Sequence, residues 1–455
     1  MSEEILPLGW ATAEIQDLIT PNGVFVDGDW IESKDQDPDG DVRLIQLADI
    51  GEGAFLDKSA RFLTTAKAAE LRCTFLKKDD VLIARMPDPL GRACTFPLEG
   101  DERYVTVVDV CIIRTSSDIS SPEFLTAAIN FLGTRKQMED LQTGTTRKRI
   151  SRGNLANVTI SLPPLNEQKR IVAKIEELFS ELEAGEESLR LARRQLGVYR
   201  QSLLKQAFEG KLTAKWRTQN SPKLEWREVS LSSVIDFTSG FAFKSDEYVE
   251  VGVPVVRISD VSEVGVSLEN SVRITAQPEF EKFRLRKGDI LIAMSGATTG
   301  KFGELKSDEK CYLNQRVGCF RAKDERRFSQ RFLHHLLHGL KRKIGKDAYG
   351  GAQPNISGKQ INAYTVPSPS PEEQQEIVRL LDEQFEVIER NEREIDGALR
   401  KSEALRQSIL KKAFTGRLVP QDPSDEPASA LLARLGTERK ASTATSRYGG
   451  KCAVG

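Results

Sequence analysis

The sequence predicts a mixed α/β chain built twice over, with two dissimilar globular parts that are each followed by a similar long helix. Three observations carry this prediction: an internal repeat at one fixed spacing, short β-branched runs in the globular parts, and apolar heptads that begin after proline-rich breaks.

The repeat comes first. Residues 150–212 match 356–418 with a constant shift of 206. Glu167-Gln168 answers Glu373-Gln374, Ile171-Val172 answers Ile377-Val378, and Phe179 answers Phe385. The run Arg200-Gln201-Ser202-Leu203-Leu204-Lys205 answers Arg406-Gln407-Ser408-Ile409-Leu410-Lys411. Upstream the match is weaker and its shift drifts: Trp10 answers Trp226, 45–50 answers 256–261, 80–84 answers 289–293, and Tyr104 and Cys111 answer Tyr312 and Cys319. One fixed shift over so long a segment marks a duplicated unit.

The globular parts carry β-branched runs at 43–50, 81–84 and 104–113, then a helical pattern over 123–141, which makes them α/β domains. The repeated parts open after Pro163-Pro164 and after Pro367, Pro369 and Pro371. In the first, Ile171, Leu178, Ala192 and Tyr199 form one heptad series, interrupted by Gly185; Ile175, Leu182, Leu189, Leu196 and Leu203 form the other. In the second, Leu381, Ile388, Ile395 and Ile409 repeat the seam, with Ile377, Ala398 and Leu405 beside it and polar Gln384, Asn391 and Ser402 interrupting. Such series suit two helices packed on each other, each about 60 Å long at about 1.5 Å per residue. The alternative is two separate amphipathic helices, each lying on its own domain. The expected boundaries are 1–162 and 216–368 for the globular parts and 163–215 and 369–420 for the helical parts, with a largely disordered tail at 421–455.

Composition bounds the class. At 455 residues the chain holds two to four domains. It contains no apolar run near the roughly 18 residues that cross a bilayer. Glu3 and Glu4 stand where a signal peptide carries basic residues, so the expected location is cytoplasmic. Six cysteines without a CxxC pair point to free thiols rather than disulfides or structural zinc. With a net charge of only -1, any contact with nucleic acid must come from local patches.

Four motifs bear on chemistry. Gly296 to Lys301 superficially resembles a phosphate loop, but it has three residues between its glycines instead of four, and Phe302 follows the lysine. Its counterpart ends at Gly91-Arg92. These turns either present Arg92, Ser295, Thr298, Thr299 and Lys301 to a phosphate backbone or are plain surface hairpins. His334 and His338 have the i, i+4 spacing of a zinc protease, yet His335 replaces the general-base Glu. No histidine occurs at the matching stretch 126–130, and a solvated helix face is the preferred reading. The segment with Thr145, Thr146, Arg147, Lys148, Arg149 and Arg152 matches the one with Gln353, Asn355, Ser357 and Lys359. Asn and Gln amides suit an adenine edge, and Arg and Lys suit guanine or phosphate; the alternative is a capped, solvated turn. Finally, from 188 to 217 the only acid is Glu209 against eight basic residues, either a solvated face or a source of salt-dependent attraction to a polyanion.

Two divergent domains with similar helical parts, the run 163–172, the run 200–212 with its second copy, Gly-Gly-Ala-Gln-Pro-Asn-Ile-Ser at 350–357 and the ending from Leu418 resemble the type I restriction-modification specificity subunits. The resemblance covers residues 5 to about 435. It implies two target recognition domains, each reading half of a split double-stranded DNA site, and an antiparallel coiled coil that spaces them and docks two methyltransferase subunits. Restriction subunits complete such complexes. S-adenosylmethionine, ATP and magnesium are then cofactors of the partner subunits, and none is bound by this chain. The sequence agrees in carrying neither an Asn- or Asp-Pro-Pro-aromatic methyltransferase tetrad nor a complete phosphate loop. Two alternatives remain open: a specificity subunit for another methyltransferase arrangement, and a coiled-coil scaffold whose domains bind protein.

Overall fold

The fold is taken from a computed structural model, which describes residues 6–86, 89–100, 102–116, 118–144, 148–220, 226–296, 298–348 and 354–449, the last ten as backbone only. The chain divides into two compact units: unit 1 is Met1–Ser188 with Ala398–Gly455, and unit 2 is Leu189–Gly397.

In unit 1, β1 (Ala11–Glu14) pairs antiparallel with β9 (Thr159–Leu162), tying the start of the globular part to its end. A four-stranded sheet runs β2 (Val24–Asp27), β8 (Val110–Arg114), β5 (Val81–Ala84), β6 (Ala93–Thr95). A three-stranded sheet runs β4 (Arg61–Leu63), β3 (Val42–Ile45), β7 (Tyr104–Thr106). All four residues of β5 are buried, which is why the strand reads as an unbroken apolar run rather than an alternation. After the short α1 (Thr65–Glu70), the Ser121 hydroxyl caps α2 (Pro122–Asn130) by accepting from Phe124 N–H at 3.0 Å. The single helix expected over 123–141 is in fact two: Phe131 adopts φ -62°, ψ 133°, and α3 (Leu132–Asp140) starts afresh. Another capped turn, α4 (Arg152–Ala156), leads into β9.

The 44-residue helix α5 (Leu165–Phe208) begins in unit 1 and ends in unit 2. Unit 2 continues with α6 (Ala214–Asn220), β10 (Arg227–Ser230) and α7 (Leu231–Val234). Its main sheet runs β11 (Ile235–Ser239), β20 (Val317–Ala322), β17 (Ile290–Ala293), β18 (Phe302–Glu304). A second sheet runs β12 (Tyr248–Val249), β16 (Arg273–Ile274), β13 (Val253–Val256), β19 (Tyr312–Leu313), with a small hairpin of β14 (Val261–Ser262) and β15 (Gly265–Val266) beside it. Then come α8 (Gln330–Ala348), α9 (Gly358–Asn362), β21 (Thr365–Ser368), which pairs with β10 as β9 does with β1, and the 44-residue α10 (Pro371–Phe414). The last helix is α11 (Ala428–Gly449).

Within each unit α5 and α10 run antiparallel. In unit 1 Glu186 accepts from Ser402 at 2.7 Å, and Glu183 lies 3.5 Å from Arg406. In unit 2 Arg193 meets Asp396 at 2.9 Å and Arg200 meets Glu392 at 3.2 Å. Ile171 and Ile175 join Leu410 and Phe414 in the unit 1 core; Leu203 joins Leu381 and Ile388 in the unit 2 core. Part of the expected seam is wrong, because Tyr199 and Leu405 are 46% and 51% exposed, whereas Ser402, the polar position of the seam series, is buried as that series requires. The Ser402 hydroxyl is satisfied at that buried position by donating to the Glu186 carboxylate across the pair. In the basic run from 188 to 217, Arg193 and Arg200 lie beside acids of α10, Arg193 remaining exposed.

The expectation of disorder over 421–455 also fails where the chain is described. Ala428, Leu431 and Leu435 are buried in the unit 1 core, Ala428 N–H donates to Gly9 carbonyl at 2.8 Å, and Arg439 Nε donates to Ile19 carbonyl at 2.9 Å. Three small or apolar residues at i, i+3 and i+7 suffice to bury one side of a helix, a stripe too short to stand out in an Ala-, Ser- and Thr-rich segment.

Candidate nucleic-acid interface

In unit 2 two segments that the sequence singled out separately come together. The turn after β17 and the strand-like segment before α9 bridge at Ser295 and Asn355. Ile356 N–H donates to Met294 carbonyl at 2.9 Å, and Gly296 N–H reaches Pro354 carbonyl at 3.3 Å. The Thr299 hydroxyl, buried, donates within the turn to Gly296 carbonyl at 2.6 Å and also lies 3.2 Å from Pro354 carbonyl. Thr298 Oγ1 donates to Ile258 carbonyl at 3.3 Å. These two threonines therefore stiffen the turn from inside. Lys301 and Asn355 are exposed on it, as is Lys359 on α9. Ser357 caps α9, its hydroxyl oxygen accepting from Gln360 N–H at 3.3 Å.

The turn from Gly296 to Lys301 connects two antiparallel strands, in register from Ile290↔Glu304 to Ile292↔Phe302, whereas a phosphate loop connects a strand to a helix. Gly300 has φ +82°, a left-handed conformation that glycine enters without steric cost.

Unit 1 repeats the backbone bonds at the centre of this framework. Ala84 N–H donates to Arg92 carbonyl at 2.8 Å and Gly91 N–H to Ala84 carbonyl at 3.0 Å; in unit 2 the matching bonds are Ala293 to Lys301 at 3.0 Å and Gly300 to Ala293 at 2.8 Å. Ile150 N–H donates to Arg85 carbonyl at 3.2 Å, where unit 2 has Ile356 and Met294. Gly91 has φ +78°. Arg92 and Lys301 thus occupy the same place on the same hairpin. Lys148, Arg149 and Arg152 are exposed on the neighbouring segment, where Thr143 and Arg149 pair; Thr145, Thr146, Arg147 and, in unit 2, Gln353 lie outside the described residues.

Sequence reasoning missed further members. Arg257 follows β13 directly, next to Ile258, which receives the Thr298 hydroxyl. Asn314 precedes β20, with exposed Gln315 and Arg316 after it, and Arg316 carbonyl accepts from Met294 N–H at 2.9 Å. Nothing in their spacing along the chain announces them, since three separated loops bring them together. The Arg85 guanidinium does different work. It donates to Ile150 carbonyl at 3.2 Å and Val108 carbonyl at 2.6 Å and lies 3.3 Å from Asp27, a structural knot under the unit 1 loops.

The histidines depart from the solvated face expected of them. His335 is buried, with Nε2 2.8 Å from Asp382 Oδ1, and the His334 and His338 rings stand 4.7 Å apart. Burial holds the His334 imidazole down at about 3 and that of His338 at about 4. Among the described residues no cluster of His, Cys, Asp or Glu has the geometry to hold a metal ion.

Residues 7–190 and 223–398 match the family model of the type I restriction modification DNA specificity domain. Among curated relatives, the EcoBI specificity subunit of Escherichia coli is 26% identical over 73% of this chain and 75% of its own length. The EcoKI specificity subunit of Escherichia coli K12 is 28% identical over 68% and 70%, and the MjaVIII specificity subunit of Methanocaldococcus jannaschii 30% over 60% and 65%. A chain from a structural study of complex assembly in the type I R-M system covers 91% of this one at TM-score 0.71 and 22% identity, and is itself covered in full. The HsdS subunit from Thermoanaerobacter tengcongensis covers 92%, with 99% of its own length, at TM-score 0.52 and 22% identity. A framework that recurs in both units, matched twice by one family model, makes this chain a member of the type I restriction-modification DNA specificity family.

Proposed function

We propose that this chain supplies sequence choice to a type I restriction-modification complex, with the loop cluster of each unit reading one half of a split DNA site. The observation that carries this reading is the repeated hairpin framework, which holds different polar side chains at matching places: Arg92 against Lys301, and the basic segment 148–152 against Asn355 and Lys359. Base edges are told apart by such side chains, whereas phosphate contacts fix position. The paired helices α5 and α10 set the distance between half-sites and dock two methyltransferase subunits, with restriction subunits joining the same complex.

In this reading the chain performs no catalysis. S-adenosylmethionine, ATP and magnesium belong to the partners, and the strand-to-strand geometry of the glycine turn supports this. The complex works in the cytoplasm; no helix among the described residues is long and apolar enough to cross a membrane. Exchanging residues 6–161 for those of a related specificity subunit tests the reading. Sequencing of methylated adenines in cells carrying the exchanged chain is expected to show one altered half-site. Alteration of both would overturn independent reading.

A further inference from the structure

In the loop cluster of unit 2, one arginine is rigidly mounted and its side chain has no partner among the described residues. The backbone around Arg257 is fixed at three successive residues: Val256 carbonyl accepts from Asn314 N–H at 3.1 Å, Arg257 N–H donates to Asp260 Oδ2 at 2.8 Å, and Ile258 carbonyl accepts from Thr298 Oγ1 at 3.3 Å. Asp260 is itself buried and held by Ser259 and Ser271 hydroxyls at 2.9 and 3.2 Å. The Arg257 side chain, partly exposed, forms no hydrogen bond or ion pair among the described residues, and its Nε is shut from water without an acceptor. On the adjoining turn Ser295 Oγ is also buried and unpartnered. Buried polar atoms nearly always find partners, so two orphans at neighbouring places in one loop cluster mark a site completed by a ligand.

The repeat supplies an internal contrast. The residue of unit 1 that matches Arg257 is Gln46, and Arg85, which matches Met294, spends its guanidinium on Ile150, Val108 and Asp27. Unit 1 uses Arg85 to build its cluster and holds an arginine Nε without an acceptor on the hairpin itself, at Arg92, whereas unit 2 mounts its unpaired arginine at the end of β13, on a backbone fixed from three sides. Arginine pairs with the O6 and N7 edge of guanine in the major groove, and glutamine with adenine.

We propose that Arg257, supported by Ser295, reads a guanine in the half-site of unit 2, and that Gln46 occupies the corresponding reading position of unit 1. The proposal rests on the assignment of these loops to DNA. Its test uses the full chain purified with its methyltransferase subunits and a pool of duplexes in which both half-sites are randomised, followed by sequencing of the retained DNA. The domain exchange described above identifies which half-site belongs to which unit.

Arg257→Gln is expected to lower the preference for guanine at one position of the unit 2 half-site on the order of tenfold or more, toward adenine, with the unit 1 half-site unchanged. Arg257→Lys is expected to retain most of the affinity and lose the same discrimination, because lysine keeps the charge without the planar fork. Ser295→Ala is expected to weaken the same position more mildly, and it keeps the test alive should Arg257→Gln fail to fold. An unchanged motif at unchanged affinity in Arg257→Gln overturns the proposal. So does a uniform loss of affinity that Arg257→Lys restores, which would make Arg257 a phosphate contact. Wild-type complex that retains no particular sequence would instead overturn the assignment of the loops to DNA.

Discussion

At the start of α5 in unit 1, the buried Glu167 carboxylate accepts from Trp10 Nε1 at 3.1 Å, with Gln421 Nε2 at 3.4 Å; at the start of α10 in unit 2, Glu373 accepts from Trp226 Nε1 at 2.9 Å, from Thr213 Oγ1 at 2.7 Å and from Arg217 Nη2 at 2.7 Å. The same carboxylate is thus held by neutral donors in one unit and by a guanidinium in the other. A second pair is alike in both: Arg114 grips Asp80 through two bonds of 2.6 Å, and Arg321 grips Asp289 in the same bidentate way. A third contrast lies where the globular part meets the helices. His335 of α8 is packed against α10 through Asp382, whereas the matching Ala127 of α2 lines a groove of 510 Å³ above Val172, Ile175 and Phe179. Bonds that define the backbone framework persist between the units, and side chains at its edges have diverged. That is the pattern expected where selection holds the mounting and changes the reader.

The largest expected effect comes from breaking the shared framework. Asp289→Ala strands Arg321 and removes the carboxylate that also anchors Arg286 N–H at 2.7 Å, and is expected to destabilise unit 2 by about 3 kcal/mol. Hydrogen exchange should show lost protection over 285–322 and none over 75–114. Equal loss in both units would mean that they do not fold as separate modules.

Next is the histidine contact. His335→Ala removes a buried ring and its bond to Asp382, with an expected cost of about 2 kcal/mol by denaturant titration. The reverse change, Ala127→His, enters an open groove and should alter stability by less than about 0.5 kcal/mol.

The clamps should separate under acid. Burial raises Glu167, whose neutral donors do not offset it; burial of Glu373 is outweighed by Arg217, Thr213 and Trp226, leaving that carboxyl below its usual range. A lowered carboxyl contributes stability that is present above its unfolded value, about 4.3, and lost as pH falls through the folded value. A raised one behaves oppositely, its burial cost being relieved as pH falls. Between pH 6 and pH 3 the fluorescence of Trp226 should therefore report loosening before that of Trp10, each measured in a variant with the other three tryptophans replaced by Phe. At neutral pH, Glu373→Gln should cost about 2 kcal/mol, because it breaks a charge-assisted bond to Arg217, whereas Glu167→Gln, which removes a buried charge and keeps an acceptor for Trp10, should cost less than about 1 kcal/mol.

Sequence carried some of these comparisons and not others. The repeat places Trp10 opposite Trp226 and Glu167 opposite Glu373, so the joints are visible as matching letters. The ionic difference is not, because Arg217 and Gln421 lie outside the matched run and reach the carboxylates only after each helix has ended. Arg257 and Ser295 sit 38 residues apart and become neighbours through a turn and a strand end. His335 is buried against Asp382 and Phe385, on a helix α8 that runs unbroken through Gly339 where α2 stops at Phe131; glycine and phenylalanine at that place do not announce which helix continues. Leu405 follows the heptad and stays exposed, while polar Ser402 is buried and paired with Glu186.

An insertion in α5 tests the proposal that α5 and α10 set the spacing between the two half-sites. Gly185 faces open space, with no other atom within 4 Å of where a Cβ would stand beyond its own helical turn, which makes it the place for an insertion of four residues. They lengthen α5 by about 6 Å, close to two base pairs, and approximate one helical turn, which largely keeps the apolar side facing α10. Sequencing of methylated adenines in cells that carry the variant with its methyltransferase should return the same two half-sites separated by a gap one or two base pairs longer. An unchanged gap in a folded, active variant would show that something other than these helices sets the spacing.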